Sequence, residues 1–250
     1  MVKPKNNKSQ EDPYRIDKLI ADIKNVGDNA KETHVKILIY GDSGAGKTFL
    51  TATSPKPLFL LNEANGQASI LHSNKDADIL LVKDANALAK ILHDIDTNPQ
   101  NWSKYDTICI DSLTEMQRLI KDRITDGRQM SLPMWGKLAD DMRKLIRRIR
   151  NLKFNVVCTA LLEKDMEEAT GERHVRPLFE GKKTGAEIAQ YFSMVGLLYN
   201  STDDNGATCR SLMLDGPSRV MCKPVFPLEG SIQKPDLTNI INQIQTTQAK

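Results

Sequence analysis

A glycine-rich run that ends in a lysine and a threonine contains the residues best suited to do chemistry in this chain. Residues 41–48 read GDSGAGKT, which fits the pattern G-x-x-x-x-G-K-[ST]. Glycines let the backbone curl so that several N–H groups point at one centre, where phosphate oxygens can bind. Lys47 is then expected to reach the β- and γ-phosphates of a nucleotide, and the Thr48 hydroxyl to ligate Mg²⁺. The residues predicted to bind the nucleotide are Gly41, Asp42, Ser43, Gly44, Ala45, Gly46, Lys47 and Thr48.

Apolar and helix-compatible residues flank this loop in the order that a phosphate site requires. Residues 37–40, ILIY, form a short apolar run typical of a buried strand. Residues 48–52, TFLTA, are compatible with a helix, whose positive dipole end would favour bound phosphate. The alternative is a glycine turn that joins a strand to a helix and binds no ligand.

An acidic residue at the end of a later apolar run supplies the second half of a nucleotide site. Residues 107–111, TICID, close on Asp111. An aspartate at the carboxyl end of a strand beside the strand of residues 37–40 can hold a water of the Mg²⁺ shell, so Asp111 is predicted to act in catalysis and metal binding. The alternative is a helix cap, because Asp111 or Ser112 stands ahead of helix-compatible residues. Both are compatible, since a cap places the carboxylate at the same sheet edge.

A second carboxylate follows another apolar run. Residues 58–61, LFLL, are predicted to form a buried strand that ends just before Glu63. If that strand lies next to the strand of residues 37–40, Glu63 lies beside the γ-phosphate and can orient the attacking water. The alternative is an exposed acidic residue in a loop.

Two segments are rich in cations. A predicted helix over residues 134–152 carries a basic face, which could bind a polyanion but is better explained as a solvated face with cations at the helix C-terminus. The long polar stretch of residues 163–185 has a hairpin tip predicted at Thr170–Gly171. A segment of this length without a core pattern is usually functional or mobile.

The remaining patterns predict an α/β protein. Strands are expected at 79–82, 154–160, 194–199 and 211–214, and helices at 14–25, 85–95, 112–124, 188–192 and 237–244, the last as a docking helix. Residues 1–12 are predicted to be a mobile tail. No internal repeat interrupts this order.

Composition sets broad limits. At 250 residues the chain can hold one substantial α/β domain with additions, or two small domains. A net charge of +3 is too small to imply a polyanion partner by itself. No apolar run approaches the roughly 18 residues of a membrane helix, and the polar N-terminus lacks an apolar signal core, so we expect a cytoplasmic protein with no membrane partner. The four cysteines show no C-x-x-C spacing, which argues against a zinc site.

The motif alone does not choose among kinases, GTPases, motors and recombinases. The sequence contains no N-K-x-D guanine motif, which argues against a GTPase. Ser112 follows Asp111, so the Asp-Glu pair of many motor ATPases is missing.

Several runs together resemble the RecA-like P-loop ATPases, and most of all the phage-encoded nucleotide-binding proteins of single-strand annealing and recombination. The runs that carry the resemblance are GDSGAGKT, LFLLNEANG, YDTICIDSLTEM, the helix that begins at Trp135, and VVCTALLEKD with RPLFEGKKTG. They cover roughly residues 36–199. The resemblance implies a RecA-like core of mostly parallel sheet flanked by helices over residues 34–200. It is preceded by a tail and short helix over 1–33 and followed by an antiparallel hairpin and helix extension over 201–250.

The resemblance also implies roles for individual residues. Lys47 and Thr48 would hold ATP and Mg²⁺, Asp111 the metal and Glu63 the hydrolytic water. Loops near 123–134 and 163–184 would face single-stranded DNA, and Lys182 or Lys183 would reach the γ-phosphate of a neighbouring subunit. The cations implied to contact DNA are Arg123, Arg128, Lys164, Arg173 and Arg176.

Further implications concern activity and partners. The resemblance implies a DNA-dependent ATPase that acts in phage recombination and annealing in the host bacterial cytoplasm. It would assemble as a homo-oligomer, either a filament or a ring, with a single-strand-binding protein as a partner. One departure is that RecA relatives place a Gln or similar polar sensor at the end of the strand before the second loop, where this chain offers Thr159. Two other functions stay open: a nucleotide-dependent interaction switch with little hydrolysis, and a small-molecule kinase.

Overall fold

The apolar runs of the sequence form the strands of one sheet. The structure is a computed structural model and describes residues 34–62, 66–166, 171–181 and 184–248. The strands are β1 (Lys36–Gly41), β2 (Pro57–Leu61), β3 (Asp78–Leu81), β4 (Thr107–Asp111), β5 (Asn155–Met166), β6 (Arg173–Pro177), β7 (Met194–Thr202), β8 (Thr208–Met213) and β9 (Ser231–Gln233). The helices are α1 (Lys47–Thr51), α2 (Gln67–Ser73), α3 (Ala85–Thr97), α4 (Leu113–Thr125), α5 (Leu132–Asn151), α6 (Thr184–Ala189) and α7 (Leu237–Gln248).

The sheet has a parallel centre and an antiparallel extension. Its strand order is β3-β2-β4-β5-β1-β7-β8-β9, and β6 pairs with the far end of β5. Pairs from β3 to β7 are parallel, whereas β8 and β9 run antiparallel. The predicted fold class is confirmed: a mostly parallel sheet flanked by helices with an antiparallel extension toward the C-terminus. Parallel strands place their carboxyl ends at one edge, which is where ligands bind in open α/β sheets.

Helices cover both faces of the sheet. Along β1, Leu38 and Tyr40 face one core with α3, α4 and α5, while Ile37 and Ile39 face the other with α1, α2 and α7. Because side chains alternate along a strand, a run that is apolar on both faces requires cover on both sides. The predicted docking helix is confirmed as α7, which buries Leu237 and three isoleucines.

The structure corrects two expectations about neighbouring strands. Neither β2 nor β4 pairs with β1, because β5 and β7 occupy the two sides of β1. Glu63 was expected to lie beside the γ-phosphate if its strand, β2, were adjacent to β1. That condition is not met. The strand that ends in Asp111, β4, was also predicted to lie beside β1. This was wrong, since β5 lies between them.

The hairpin predicted around Thr170–Gly171 is confirmed in the two strands that flank it. The β5 strand extends to Met166, well past the predicted end at residue 160, and its last five residues pair antiparallel with β6. Helix α6 covers Thr184–Ala189 rather than the predicted 188–192.

Several predictions fall on residues that the structure does not describe. These are the predicted helix over 14–25, the tail over 1–12, Glu63, Thr170, Lys182 and Lys183. Within the described residues, no helix is both long and apolar enough to cross a membrane.

The side chain of Gln117 ties the helix after β4 to the segment after β6. Its amide nitrogen donates to the carbonyl of Glu180 at 3.0 Å, and its amide oxygen accepts from the Glu180 N–H at 2.7 Å. The Gln117 residue is 1% exposed, so its side-chain amide makes both hydrogen bonds out of contact with water and pairs both backbone groups of Glu180. The Glu180 carboxylate makes a separate, half-exposed ion pair with Lys121.

Gln117→Leu should lower the free energy of unfolding by about 2–4 kcal/mol. A leucine of similar size fills the space but leaves a buried donor and a buried acceptor unpaired, at about 1–3 kcal/mol each. Urea unfolding followed by circular dichroism measures the loss. Glu180→Ala is the matched control: it removes the Lys121 ion pair, keeps the backbone groups bonded to Gln117, and should cost less than about 1 kcal/mol. Equal losses in the two variants would contradict the assigned role of Gln117.

Candidate nucleotide and magnesium site

The glycine-rich loop between β1 and α1 has the backbone shape that its sequence predicts. Gly44 and Gly46 have φ angles of 78° and 93°, a region that glycine occupies without strain. Gly41 is required for a different reason, since a Cβ atom there would lie 2.4 Å from the carbonyl oxygen of Leu198 on β7. The α1 helix that follows is short, with five residues. The loop glycines therefore serve both the turn and the close approach of β7.

Lys47 is the first residue of α1, directly after this loop. Its amine donates to the carbonyls of Gly41 at 2.9 Å and Asp42 at 2.8 Å. Burial lowers the pKa of Lys47, while the negative charges of Asp111 and Asp42 oppose that shift. A buried ammonium group held by neutral carbonyls and facing two carboxylates is well placed to bind phosphate oxygens.

Asp111 and Thr48 lie in direct contact, as the two motifs predict. The Thr48 hydroxyl donates to Oδ2 of Asp111 at 2.5 Å. The other carboxylate oxygen, Oδ1, accepts a hydrogen bond from the Thr159 hydroxyl. Hydroxyl and carboxylate oxygens are the ligands that Mg²⁺ prefers, directly or through its bound waters. The donor set therefore fits a magnesium ion bound between the loop and β4.

The β5 strand bridges the gap between the two motif strands. Residues Val156–Cys158 of β5 pair with both β1 and β4, and Thr159, which pairs with Ile39 of β1, is the next residue. The Thr159 side chain is fully buried, so its hydroxyl fixes the Asp111 carboxylate from the strand in between. This is why Asp111 reaches Thr48 although its strand does not touch β1.

The capping alternative for Asp111 is resolved by its neighbour. Ser112 is the N-cap of α4, and its hydroxyl accepts from the N–H of Glu115 at 3.3 Å. The Asp111–Ser112 peptide bond is cis. The cap and the acidic site thus use adjacent residues, and the Asp111 carboxylate bonds the two threonines.

A cleft of about 540 Å³ opens over these groups. Its lining combines the loop, α1, α2 and the ends of β4 and β5: Ser43, Gly44, Gly46, Lys47, Thr48, Phe49, Ala68, Ser69, His72, Asp111, Ser112, Leu161 and Arg210. The last of these, Arg210, comes from β8 in the antiparallel extension. The sequence patterns did not identify it, because no motif surrounds it and only tertiary folding brings β8 beside the loop.

Among the cations predicted to contact DNA, one lies at the nucleotide site. The Lys164 amine, on β5, is 3.7 Å from the carboxylate of Asp42 in the glycine-rich loop. Arg176 bonds Glu163 and Asp165 on the paired strand, at 2.8 Å each. Arg173, the first residue of β6, is exposed.

The other two predicted cations bond residues of helices α3, α4 and α5. Arg123, near the end of α4, donates to Asp141 of α5 at 2.8 Å and to Asn86 at 3.1 Å. Arg128 donates to the carbonyl of Thr125 at 3.2 Å. That both loops face DNA stays a prediction; what the structure shows is that the bonded partners of their described cations lie on different elements.

A comparison with protein families decides the classification. The family model AAA_24, an AAA domain, matches residues 33–224, which is more than half of the chain. The chain belongs to this AAA domain family. The match includes the glycine-rich loop, Asp111 and Arg210, and it confirms the coarser sequence prediction of a nucleotide-binding P-loop ATPase. A search of curated proteins finds no match for this AAA domain protein. Among solved structures, it is similar to a KaiC-like protein from Pyrococcus horikoshii OT3, with 14% identity and a TM-score of 0.44 over 80% of this chain and 89% of that one.

Thr159→Val should weaken the response of ATP turnover to magnesium. Valine keeps the buried shape but removes the hydroxyl that holds Asp111, and loss of such an outer partner typically costs about 10–100-fold in metal affinity or activity. We expect the Mg²⁺ concentration for half-maximal turnover to rise by about 10-fold, and ATP binding in EDTA to stay unchanged. Thr159→Ser restores the hydroxyl and should restore the magnesium response. A variant that loses turnover with no shift in magnesium dependence would contradict a positioning role.

Proposed function

We propose that this AAA domain protein is an ATPase whose turnover is controlled by single-stranded DNA at the β5–β6 hairpin. The observation that carries the proposal is the continuity of β5. The same strand holds Thr159 against the Asp111 carboxylate and then runs without a break to Met166 at the hairpin. A ligand that moves the hairpin would therefore act on the strand that fixes the metal residue.

A second contact joins the hairpin to the phosphate loop. The 3.7 Å approach of Lys164 to Asp42 connects β5 with the loop residue whose carbonyl accepts from Lys47. Both side chains are largely exposed, so this ion pair adds little stability and can be exchanged for another anion. DNA phosphates at Lys164 would compete with Asp42, which supports the hairpin as the coupling element.

The site residues support hydrolysis of ATP. Lys47 and the loop N–H groups would bind the β- and γ-phosphates, and Thr48 and Asp111 would hold Mg²⁺. A magnesium ion held by these residues would supply positive charge to offset the charge that develops on the transferred phosphoryl group. We keep Glu63 in this proposal as the residue that orients the attacking water, although β2 does not pair with β1. The support is that Gly66, three residues further along the chain, lies at the site: a Cβ atom built there would be 3.9 Å from Oδ2 of Asp111. The carboxylate of Asp111 is already fixed by two hydroxyls, so little reorganisation is needed at this residue during the reaction.

The proposed DNA contact is electrostatic and independent of base sequence. Arg173 is exposed on the hairpin, and Lys164 lies nearby on the paired strand. Aromatic residues are absent from residues 163–178 of the sequence, so base stacking should contribute little. The basic residues near the end of α5 are less suitable, because that helix ends just before the amino end of β5, at the edge opposite the nucleotide site.

The proposal extends to assembly and setting. Copies of the chain would assemble on single-stranded DNA as a filament or ring, with Lys182 or Lys183 reaching the γ-phosphate of the neighbouring subunit. A single-strand-binding protein would be a partner, and the setting would be phage recombination and annealing in the cytoplasm of the host. The sequence resemblance supports these points.

Single-stranded DNA should raise the ATP turnover of the wild-type protein, and salt should remove that effect. Because each phosphate contact releases a counterion, half-maximal stimulation should need steeply more DNA as salt rises from about 50 to 200 mM. A coupled ATPase assay with and without single-stranded DNA across a salt series measures this. Lys47→Ala should abolish turnover in every condition.

Two arginine variants locate the DNA contact. Arg173→Ala on the hairpin should raise the DNA concentration needed for stimulation several-fold, since it removes an exposed cation there. Arg147→Ala removes an exposed arginine from α5 and should leave the stimulation unchanged. Turnover that is indifferent to DNA at low salt, or equal effects of the two variants, would contradict the proposal.

A different observation favours the second candidate, a nucleotide-dependent protein-interaction switch. Leu132 and Trp135, at the start of α5, are 86% and 36% exposed and line a cleft of about 800 Å³ beside Gly181. Exposed apolar side chains around a cleft often mark a protein-binding surface. In this second function, ATP binding would control assembly with another protein.

Glu63→Gln separates the two functions. In the ATPase, loss of the carboxylate that orients water should reduce turnover by about 100-fold or more while ATP still binds. In the switch, basal turnover is already slow, and the variant should change neither turnover nor partner binding. Nucleotide binding by fluorescence titration and turnover by phosphate release, measured on the same preparations, give the two readouts.

A further inference from the structure

Arg210, the residue of β8 that lines the nucleotide cleft, has a backbone held on both sides by neighbouring segments. Arg210 pairs with Asn200 of β7 on one side, and on the other its carbonyl accepts from the N–H of Lys234 at 2.8 Å. These contacts hold the strand, and the side chain extends from it over the glycine-rich loop. The exposed side chain therefore starts from a rigid base, which is what a ligand-binding residue requires.

The guanidinium group lies directly over the loop. A Cβ atom built at Gly46 would be 2.3 Å from Nε and 2.6 Å from Cζ of Arg210. Glycine at position 46 adopts a φ of 93° without strain and leaves the adjacent space to the Arg210 side chain. Arg210 lines the same cleft as Lys47, Thr48 and Asp111.

Arg210 makes no ion pair with any carboxylate among the described residues. Its contact there is with an aromatic ring: Cζ lies 4.8 Å from the centroid of Phe49 in α1. An exposed cation–π contact is weak compared with a charge-assisted hydrogen bond to phosphate. Lys47, the other cation of the cleft, also bonds neutral groups. Both cations can therefore turn to an anionic ligand without giving up a carboxylate partner.

The Arg210–Phe49 pair also separates two clefts. Both residues line the cleft over the glycine-rich loop and a second cleft of about 600 Å³ that Thr53, Asn200 and Lys234 also line. A side chain at such a boundary contacts ligands that enter the loop cleft. The guanidinium fork suits the oxygens of a phosphate chain, which it can bind in a bidentate manner.

We propose that Arg210 is a phosphate-binding residue of the nucleotide site, supplied by the same chain, which exchanges its contact with the Phe49 ring for the phosphate chain of ATP. This inference rests on the proposed ATP binding and adds a ligand that the glycine-rich motif does not contain. It also gives the antiparallel extension a function, because Arg210 lies on β8, a strand of the extension, and not on one of the parallel strands that carry the motifs.

The test compares two ligands that share the phosphate chain. ATP and inorganic tripolyphosphate, each with Mg²⁺, displace a fluorescent ATP analogue from wild-type protein and from Arg210→Ala. We expect Arg210→Ala to weaken both ligands by about 10-fold, since each loses a charge-assisted contact. Arg210→Lys keeps the charge but loses the planar fork, so it should fall between the two proteins.

Arg150→Ala is the matched control. Arg150 also stacks on an aromatic ring, with Cζ 5.5 Å from the Tyr191 centroid, but it lies at the end of α5, away from the nucleotide cleft. This variant should bind both ligands as the wild type does. Thermal unfolding without ligand verifies that the variants are folded, and Arg210→Lys serves as the test variant if the alanine form unfolds.

The outcomes separate this inference from the proposed function. If the wild type does not bind ATP, the proposed function fails and this inference with it. If the wild type binds ATP and Arg210→Ala binds it equally well, only this inference is overturned. If Arg210→Ala weakens ATP but not tripolyphosphate, Arg210 contacts the nucleoside and the phosphate role is wrong.

Discussion

The carboxylate of Asp111, shared between two threonine hydroxyls, is the interaction on which the site depends. Thr48 belongs to the helix after the glycine-rich loop, Asp111 to β4, and Thr159 to the strand between them. Each carboxylate oxygen accepts one of these hydroxyls, so the group is oriented before any metal binds. The Thr159 hydroxyl comes from a buried strand, so at least this side of the carboxylate is fixed independently of the glycine-rich loop.

The central position of β5 links this carboxylate to the rest of the molecule. β5 is hydrogen-bonded to β1 and β4 along its first half and to β6 along its second. The Thr114 hydroxyl accepts from the N–H of Leu161 and donates to the carbonyl of Leu178, so α4 is attached to both strands where they leave the main sheet. A displacement of the hairpin would therefore strain groups next to Asp111, and we propose this as the physical basis for coupling DNA to ATP turnover.

The two faces of the cleft have different origins. Motif residues supply one face, and they come from the parallel strands whose carboxyl ends meet at one edge. The antiparallel extension supplies the other through Arg210, which lies over Gly46 and Phe49. A glycine at position 46 serves both faces, because it gives the loop its left-handed turn and leaves room for the arginine. The nucleotide cleft is thus a joint product of the motif core and its extension.

The sequence by itself determined the loop, the apolar strands and the placement of Thr48 and Asp111 at one edge of the sheet. These follow from local rules: glycine conformations, strand and helix periodicity, and the shared edge of parallel strands. The tertiary structure alone decided the strand order, which inserts β5 between β4 and β1 and separates β2 from β1. It also decided the extent of β5, the partners of the basic side chains and the approach of Arg210. Such features depend on pairings between residues distant in sequence. Local sequence patterns cannot tell which of several apolar strands of similar composition will pair with each other.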